Sequence, residues 1–200
     1  MNIDAVIQRI QEHVGVAVDG RAGPETWNAI YEALLGETVP KSRAFSGKVD
    51  DRSEKTIATL QPEVAPYARS LVSRAANAGI EIKIIGGTRT YAEQDALFAQ
   101  GRTKPGRRVT NAKGGESNHN FGIAFDIGVF KGKEYLDEST GYDVVGAIGM
   151  EIGLEWGGEW TTIVDKPHFQ LRPTWADHSS EREMLAEIRD RVKNGIGIYA

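Results

Sequence analysis

Two short segments bring together two histidines and two aspartates in a chain that has only four histidines. The first segment runs from Ser117 to Asp126, and the second runs from Asp165 to Phe169. From Phe121 onward, apolar residues alternate with small or acidic ones, which is the period of a β-strand with one buried face. The other face carries two small residues followed by Asp126, so space is left beside that carboxylate for a ligand.

His119 lies just before this strand, where a turn can bring its ring over the same face. Pro167 restricts its own φ angle and favours an extended Lys166, so His168 is expected on or beside a second strand. Two imidazoles and one carboxylate are a suitable ligand set for a catalytic zinc ion with water in the fourth position. On spacing alone, a surface histidine and a strand-end acid explain His119 and Asp126 equally well.

The composition excludes several other classes of protein. The 200 residues suffice for one substantial domain and a small one, and a net charge of −4 argues against a nucleic-acid partner. The chain has no cysteine, so histidine and carboxylate must hold any metal. No apolar run is long enough for membrane insertion, and the N-terminal residues lack the pattern of a secretory signal.

The apolar periodicity predicts an α+β fold, in which helices flank a small antiparallel sheet that carries the zinc site. A strand rich in β-branched residues is predicted at 80–85, and a polar loop at 131–138. Helices are predicted over 51–60, 64–79, 91–100, 142–152 and 180–192.

Residues 1–36 are predicted to form a small all-helical module, followed by a linker at 37–50. Apolar residues recur at helical spacing after Ile3, and Gly23–Pro24 interrupts the chain before a second helix. An amphipathic helical pair that packs on the main domain explains this pattern. The segment from Val18 to Thr26 also resembles the Asp-Gly-x-x-Gly-Pro-x-Thr loop of peptidoglycan-binding modules. Those modules have three helices, whereas only two are evident here.

The order of residues in the two central segments resembles a zinc-binding signature. Ser-x-His followed by aspartate, and Asp-x-x-His further along, are typical of the D-Ala-D-Ala carboxypeptidase/VanY family of metallopeptidases. Within that family, the chain is most similar to phage endolysins that act as L-alanyl-D-glutamate endopeptidases. The resemblance runs from about Ser53 to Leu171 and includes Gly86-Gly87-Thr88-Arg89-Thr90, Glu93-Gln94 and Gly114-Gly115-Glu116-Ser117-Asn118-His119.

The resemblance implies a zinc metallopeptidase domain over residues 51–200, with Zn²⁺ on His119, Asp126 and His168. A carboxylate is then needed to take a proton from the attacking water and pass it to the leaving amine, and Asp165 is the candidate. Asp165 must lie on a bend, because its side chain and that of His168 would point to opposite faces of an unbroken strand.

Other residues are given roles by the same resemblance. Arg89 is expected to bind substrate or to stabilise the charge that develops on the attacked carbonyl. Ser117 is expected to support the His119 loop or to contact substrate, and Glu93 and Gln94 are expected to be structural. The basic run within residues 101–115 is either a solvated loop or a lip that attracts the carboxylates of wall peptides.

Two tryptophans precede the segment from Asp165 to Phe169, and the family motifs assign no role to either. Trp156 and Trp160 are either core residues, or one of them lines the cleft.

The activity implied by the resemblance is hydrolysis of the L-alanyl-D-glutamate bond in stem peptides of bacterial peptidoglycan. Two alternatives stay open: a D,D-carboxypeptidase that removes terminal D-Ala, and a non-catalytic wall-binding protein with a structural zinc. The protein is expected to be a monomer that is made in the bacterial cytoplasm without a signal peptide. It is expected to act at the cell wall after release, with a holin-type partner for delivery.

Overall fold

The computed structural model describes residues 3–20, 24–36, 49–161 and 163–200. The chain divides into two units, Met1–Arg43 and Ala44–Ala200. Most of the linker predicted at 37–50 lies outside the described residues. No helix in the described ranges has the length and apolar character needed to cross a membrane.

The first unit contains two helices, α1 (Ile3–Val14) and α2 (Pro24–Leu35), among its described residues. The buried side chain of Gln11 joins them, because its amide nitrogen donates to Asp19 Oδ1 at 2.7 Å and to Thr26 Oγ1 at 3.0 Å. The middle of the segment that resembles a peptidoglycan-binding loop lies outside the described residues.

The second unit combines helices with one antiparallel sheet. Its helices are α3 (Asp51–Ile57), α4 (Ala65–Asn77), α5 (Tyr91–Ala99), α6 (Gly141–Glu151) and α7 (Glu181–Lys193). Its strands are β1 (Glu81–Gly86), β2 (Ala124–Lys131), β3 (Glu134–Tyr135), β4 (Glu155–Trp156) and β5 (His168–Gln170). The strand order is β1-β2-β5-β4, and β3 pairs with β2. The prediction of an α+β fold with a small antiparallel sheet is confirmed.

The central strand begins later than the alternation of apolar residues predicts. Phe121 belongs to a 3-10 turn, and Gly122 follows with φ +68°, a conformation that glycine adopts without steric cost. The strand starts at Ala124 and continues to Lys131. The prediction of a loop at 131–138 is also wrong in part, because Gly132 at φ +65° permits a tight turn into β3.

The core holds β5 in place through close contact with α6. The rings of Phe125 and Phe169 stack at a centroid distance of 5.8 Å, and both are fully buried. Gly146 and Gly149 allow α6 to approach the sheet, since a β-carbon on either would lie 2.4 Å from the ring of Trp156 or Phe169, respectively. Phe169 follows His168 directly, so this packing fixes the position of that histidine.

A second apolar cluster supports the turn that carries His119. Phe121 and Ile123 pack there with Met184, Leu185 and Ile188 of α7. The turn is also tied to the chain before α4, because the backbone N–H of Gln61 donates to Gly122 O at 2.9 Å. Packing and hydrogen bonding therefore determine where the turn lies relative to the sheet.

Candidate metal centre

Three side chains from separate elements meet at one end of the sheet. Asp126 on β2 and His168 on β5 are partners in the antiparallel register, so their side chains lie side by side. His119 reaches the same place from the 3-10 turn (Asn118–Phe121) that precedes β2. The side chains of the two histidines are 3% and 7% exposed, and that of Asp126 is 21% exposed.

The distances between the three inner atoms suit a zinc ion. His119 Nε2 lies 3.2 Å from Asp126 Oδ1 and 3.2 Å from His168 Nδ1, and His168 Nδ1 lies 3.3 Å from the same carboxylate oxygen. A tetrahedral zinc site with bonds of about 2.0 Å has edges of about 3.3 Å. Among the described residues, no further histidine or carboxylate joins this group. The residues therefore fit a metal held by three protein ligands.

A hydrogen bond to the outer ring nitrogen, the one that faces away from the centre, orients each of the two imidazole rings. His119 Nδ1 lies 2.9 Å from Gly87 O, and His168 Nε2 lies 3.0 Å from Gln170 Oε1. Both of these oxygens are acceptors, so the proton of each ring is on its outer nitrogen and the inner nitrogen is free to bind a metal. Metal-binding histidines in proteins are commonly oriented in this way.

Gly86 makes room for the carboxylate. A β-carbon at this position would lie 2.5 Å from Asp126 Oδ2. Gly86, the last residue of β1, is therefore required by close packing against the Asp126 carboxylate.

The electrostatics of the centre favour a negatively charged carboxylate. Burial opposes the charged form of Asp126, but hydrogen bonds and charge from His119 and His168 bring its pKa well below the usual range. Burial also opposes the charged form of His168, but the bond and charge from Asp126 raise its pKa. The site therefore attracts a cation, which is a proton or a metal ion.

Arg89 contacts the carboxylate of Asp126 in this structure. Its Nη2 donates to Asp126 Oδ2 at 3.0 Å, and its Nη1 donates to Gln94 Oε1 at 2.9 Å. Gln94 is fully buried and also donates to Ala112 O at 3.0 Å. The sequence suggested only a structural role for Gln94, and no local signal shows that it holds the guanidinium of Arg89.

Asp165 lies on a tight turn that leads into β5. Its backbone oxygen accepts a hydrogen bond from His168 N at 3.1 Å, and its own N–H donates to Gly157 O at 2.9 Å. The bend predicted from the sequence is therefore present. Burial raises the pKa of the Asp165 carboxyl, and the charge of Asp126 raises it further, although His168 opposes the shift. Among the described residues, no hydrogen bond to the Asp165 carboxylate is found.

Ser117 occupies the position before the turn that carries His119. Its side chain makes no capping hydrogen bond to that turn. It is half-buried, so a contact with substrate stays a prediction. The loop is held instead by Asn120, whose Oδ1 accepts from Gly115 N at 2.8 Å and whose Nδ2 donates to Arg89 O at 3.0 Å.

The two tryptophans have different environments. Trp156 is 9% exposed and donates to Lys166 O at 2.7 Å, so it belongs to the core. Trp160 is 36% exposed, and its ring centroid lies 4.9 Å from that of His168. Trp160 therefore forms a wall of the candidate site.

The basic run at 101–115 is partly tied down. Arg102 donates to Phe98 O at 2.7 Å and to Thr110 O at 2.9 Å, whereas Arg107 and Arg108 are exposed. Its last residues contact Gln94 and Asn120, which are close to the metal centre. Both interpretations of this run, a solvated loop and a basic lip, stay open.

Comparisons with known proteins agree with this geometry. The D-alanyl-D-alanine carboxypeptidase model of the peptidase M15 family matches residues 110–171. The peptidoglycan L-alanyl-D-glutamate endopeptidase CwlK of Bacillus subtilis is 40% identical over 124 residues, which are 57% of this chain and 74% of that protein. The L-alanyl-D-glutamate peptidase of Listeria phage A118 is 31% identical over 124 residues, which are 60% of this chain and 41% of that protein.

A solved structure shows the same fold. The L-Ala D-Glu endopeptidase ChiX of Serratia marcescens superposes with a TM-score of 0.50 at 23% identity, over 69% of this chain and 98% of that one. The family match and the identity to CwlK assign the chain to a family, and the likeness to ChiX agrees with that assignment at the level of the fold. The chain belongs to the M15 family of peptidases.

Proposed function

We propose that the protein is a zinc-dependent peptidoglycan hydrolase that cleaves the L-alanyl-D-glutamate bond of cell-wall stem peptides. The observation that carries the hydrolytic part is the cluster of three inner atoms at 3.2–3.3 Å on His119, Asp126 and His168. The choice of bond is supported by the identity to CwlK, which is named for this activity.

His119 Nε2, Asp126 Oδ1 and His168 Nδ1 are the proposed metal ligands. A zinc ion bound there supplies a Lewis acid and lowers the pKa of a water molecule to about 7. Gly87, Gln170 and Arg89 hold the outer atoms of the ligands, which keeps the inner atoms aimed at a common point.

Asp165 is the proposed general base. It takes a proton from the attacking water and delivers it to the nitrogen of the leaving D-glutamate. A base is most effective when its pKa lies near the working pH, so the raised pKa of Asp165 suits this role. Two backbone bonds, to Gly157 and His168, fix the turn that carries Asp165 directly before β5, which supports this role.

Arg89 and Ser117 are proposed to contact substrate. The guanidinium of Arg89 lies at the edge of the centre and is fixed by Asp126 and Gln94, so it presents a positive charge with little freedom to move. A fixed charge of this kind stabilises an oxyanion as it develops, because it needs no reorganisation during the reaction. Ser117 lies two residues before His119 and is half-buried.

The proposal extends to the setting of the reaction. The substrate is bacterial peptidoglycan, so the protein acts at the cell wall. It is proposed to work as a monomer, with a holin-type partner for delivery and with neither nucleic acid binding nor membrane insertion. Residues 1–36 are proposed to form a peptidoglycan-binding-like module before a linker at 37–50, and residues 51–200 to form the catalytic domain.

A D,D-carboxypeptidase is the second candidate, because the matching family model carries that description. Digestion of purified peptidoglycan, followed by mass spectrometry of the released fragments, separates the two activities. The proposal expects new D-glutamate amino termini that do not form when a chelator is present. Release of free D-alanine would assign the protein to the carboxypeptidases. Binding to the wall without any release would leave a non-catalytic protein with a structural metal.

A further inference from the structure

A groove of about 610 Å³ opens beside the metal centre. Two of its lining residues also contact His168: the side chain of Gln170 lies 3.0 Å from His168 Nε2, and the ring of Trp160 lies 4.9 Å from the imidazole. A peptide that is bound at the centre can therefore extend into the groove without leaving the surface of the protein. The groove continues the candidate active site.

The charged residues that line the groove are mostly acidic. Glu155, Glu159 and Glu181 are the carboxylates, and Arg172 is the cation. Arg172 donates to both Glu155 and Glu181, so its positive charge is paired with two carboxylates of the groove wall. Glu159 is exposed, and within the described part of the chain no partner of its carboxylate is found. One guanidinium faces three carboxylates, and the groove favours a positively charged ligand.

The rest of the wall is apolar or aromatic. Met150, Leu154 and Trp156 offer contacts for methylene groups, and Trp160 offers an exposed aromatic face. Aromatic faces attract ammonium groups, and long amines bury their carbon chains along apolar surface while the charged end stays near water or acids. The combination suits a primary amine on an aliphatic chain.

An unsatisfied acceptor lies next to the same wall. Asn118 is 6% exposed, and its Oδ1 has no hydrogen-bond partner among the described residues. Its amide nitrogen donates to Gln170 and Glu181, which both line the groove. Asn118 therefore connects Gln170 and Glu181 and holds both in the wall of the groove.

We propose that the groove is a subsite for the side-chain ammonium of the diamino acid that follows D-glutamate in the stem peptide. This inference rests on the proposed function. The diamino acid is the cationic residue of the stem and lies on the leaving side of the scissile bond, which assigns the groove to that side. A free carboxylate at the end of the side chain would be repelled by Glu159 and its neighbours. Lysine or amidated diaminopimelate therefore fits better than free diaminopimelate.

Synthetic stem peptides that differ at this one residue test the proposal with the full-length protein. The residue is lysine, Nε-acetyl-lysine or norleucine, so the charge changes while the carbon chain is kept. We expect kcat/KM for the lysine peptide to exceed the other two values by about fivefold, which is typical of a single exposed charge or cation–π contact. Amidated diaminopimelate should likewise be cleaved faster than the free acid.

Glu159→Gln is the variant that isolates the groove. It should lower kcat/KM for the lysine peptide towards the norleucine value and leave the norleucine peptide unchanged. Glu134→Gln is the matched control, because Glu134 is an exposed acid on β3 outside the groove. Equal rates for the lysine and norleucine peptides in the unmodified protein would overturn the proposal, as would a Glu159→Gln variant that slows both peptides alike.

A binding measurement separates failure of the subsite from failure of the proposed function. Calorimetry with the product peptides, D-glutamyl-lysine against D-glutamyl-norleucine, requires no turnover. If none of the peptides is cleaved, the proposed scissile bond is rejected. The calorimetry then tests by itself whether the groove binds the ammonium group. Tighter binding of the lysine product that is lost in Glu159→Gln supports the subsite, and equal binding of both products rejects it.

Discussion

At the scale of single residues, the centre depends on where each imidazole keeps its proton. The carbonyl of Gly87 and the amide oxygen of Gln170 accept from the outer nitrogens of His119 and His168. The inner nitrogens are therefore free for a metal before it arrives. Gly87 is distant in sequence from His119, and Gln170, although it follows His168 closely, has no local sequence signal that predicts this contact.

His119→Ala should abolish zinc binding and hydrolysis together. Removing a residue that only hydrogen-bonds to a metal ligand typically lowers metal affinity or activity by about 10- to 100-fold. The decrease in zinc affinity and activity in His119→Ala should be larger than this. Zinc content per protein molecule and release of D-glutamate amines are the measurements. His178→Ala is the control, because this histidine is exposed and away from the centre. Normal zinc content in His119→Ala would reject the ligand set.

Asp165→Asn should keep the metal and lose turnover. An amide has nearly the same shape as the carboxylate but cannot accept the proton, so kcat should fall by about 10²- to 10⁴-fold. Zinc content should stay at the level of the unmodified protein, since Asp165 is not one of the three clustered side chains. A variant with near-normal kcat would show that another group is the base.

At the scale of elements, close contacts between helices and sheet hold the centre in place. Gly146 and Gly149 of α6 face Trp156 and Phe169, respectively, with no room for a β-carbon. His168 immediately precedes Phe169 on β5, so a displacement of this strand would move a proposed metal ligand. The side of the helix that faces the sheet therefore contributes to the site although none of its residues is a ligand.

Gly149→Ala should destabilise the protein, although alanine is the better helix former. The helix propensity gains about 1 kcal/mol, but overpacking against Phe169 costs about 1–3 kcal/mol and shifts β5. Thermal unfolding and zinc affinity should both decrease. Ala147→Gly, at an exposed position of the same helix, should lose about 1 kcal/mol through propensity alone and keep normal zinc affinity. A higher melting temperature in Gly149→Ala would contradict this account of α6.

The first turn of α3 depends on the cap that Asp50 provides. Its carboxylate accepts from the N–H groups of Arg52 and Ser53, both at 3.1 Å. Burial opposes the charged form, but the hydrogen bonds from Ser53 and Arg52 together lower the pKa of Asp50. The stability that this charge contributes is therefore present above the pKa of the unfolded chain and is lost as the pH falls through the folded pKa.

Asp50→Ala should cost about 1 kcal/mol of unfolding free energy at neutral pH, as is typical for loss of an N-cap. The difference in unfolding free energy between the variant and the unmodified protein should shrink in acid, when the carboxylate is protonated in both the folded and the unfolded state. Denaturant unfolding over a range of pH is the measurement. Asp51→Ala, which removes the neighbouring acid but not the cap, is the control. A difference in unfolding free energy that grows as the pH falls would contradict the conclusion that the charged form of Asp50 stabilises the fold.

At the scale of the whole molecule, the parts that the sequence predicted are those encoded locally. The helices and the strand at 81–86 follow from apolar periodicity and from glycine or proline at their ends. Asp126 and His168 lie side by side because β2 and β5 each carry one of these proposed ligands at the position where the two strands pair. The family motifs, which occur in the same order in this chain, predict that His119 joins them.

Other features depend on contacts between distant residues and have no local signal. Gln94 lies on α5, and its side-chain amide oxygen accepts a hydrogen bond from Arg89. Its position in the sequence does not show that this amide is buried. Glu155 and Glu181 are 26 residues apart in number and meet only through Arg172. The start of β2 was predicted too early because alternation continued through Gly122, whose positive φ ends the turn instead.

Zinc titration of the chelator-treated protein shows whether hydrolysis of the L-alanyl-D-glutamate bond depends on a metal at His119, Asp126 and His168. The readout is the appearance of D-glutamate amino termini from purified peptidoglycan as zinc is added. The account predicts no cleavage without metal and a plateau when zinc and protein are equimolar, with no activity at any zinc concentration in His119→Ala. Cleavage that proceeds without metal, or release of D-alanine in place of D-glutamate termini, would contradict it.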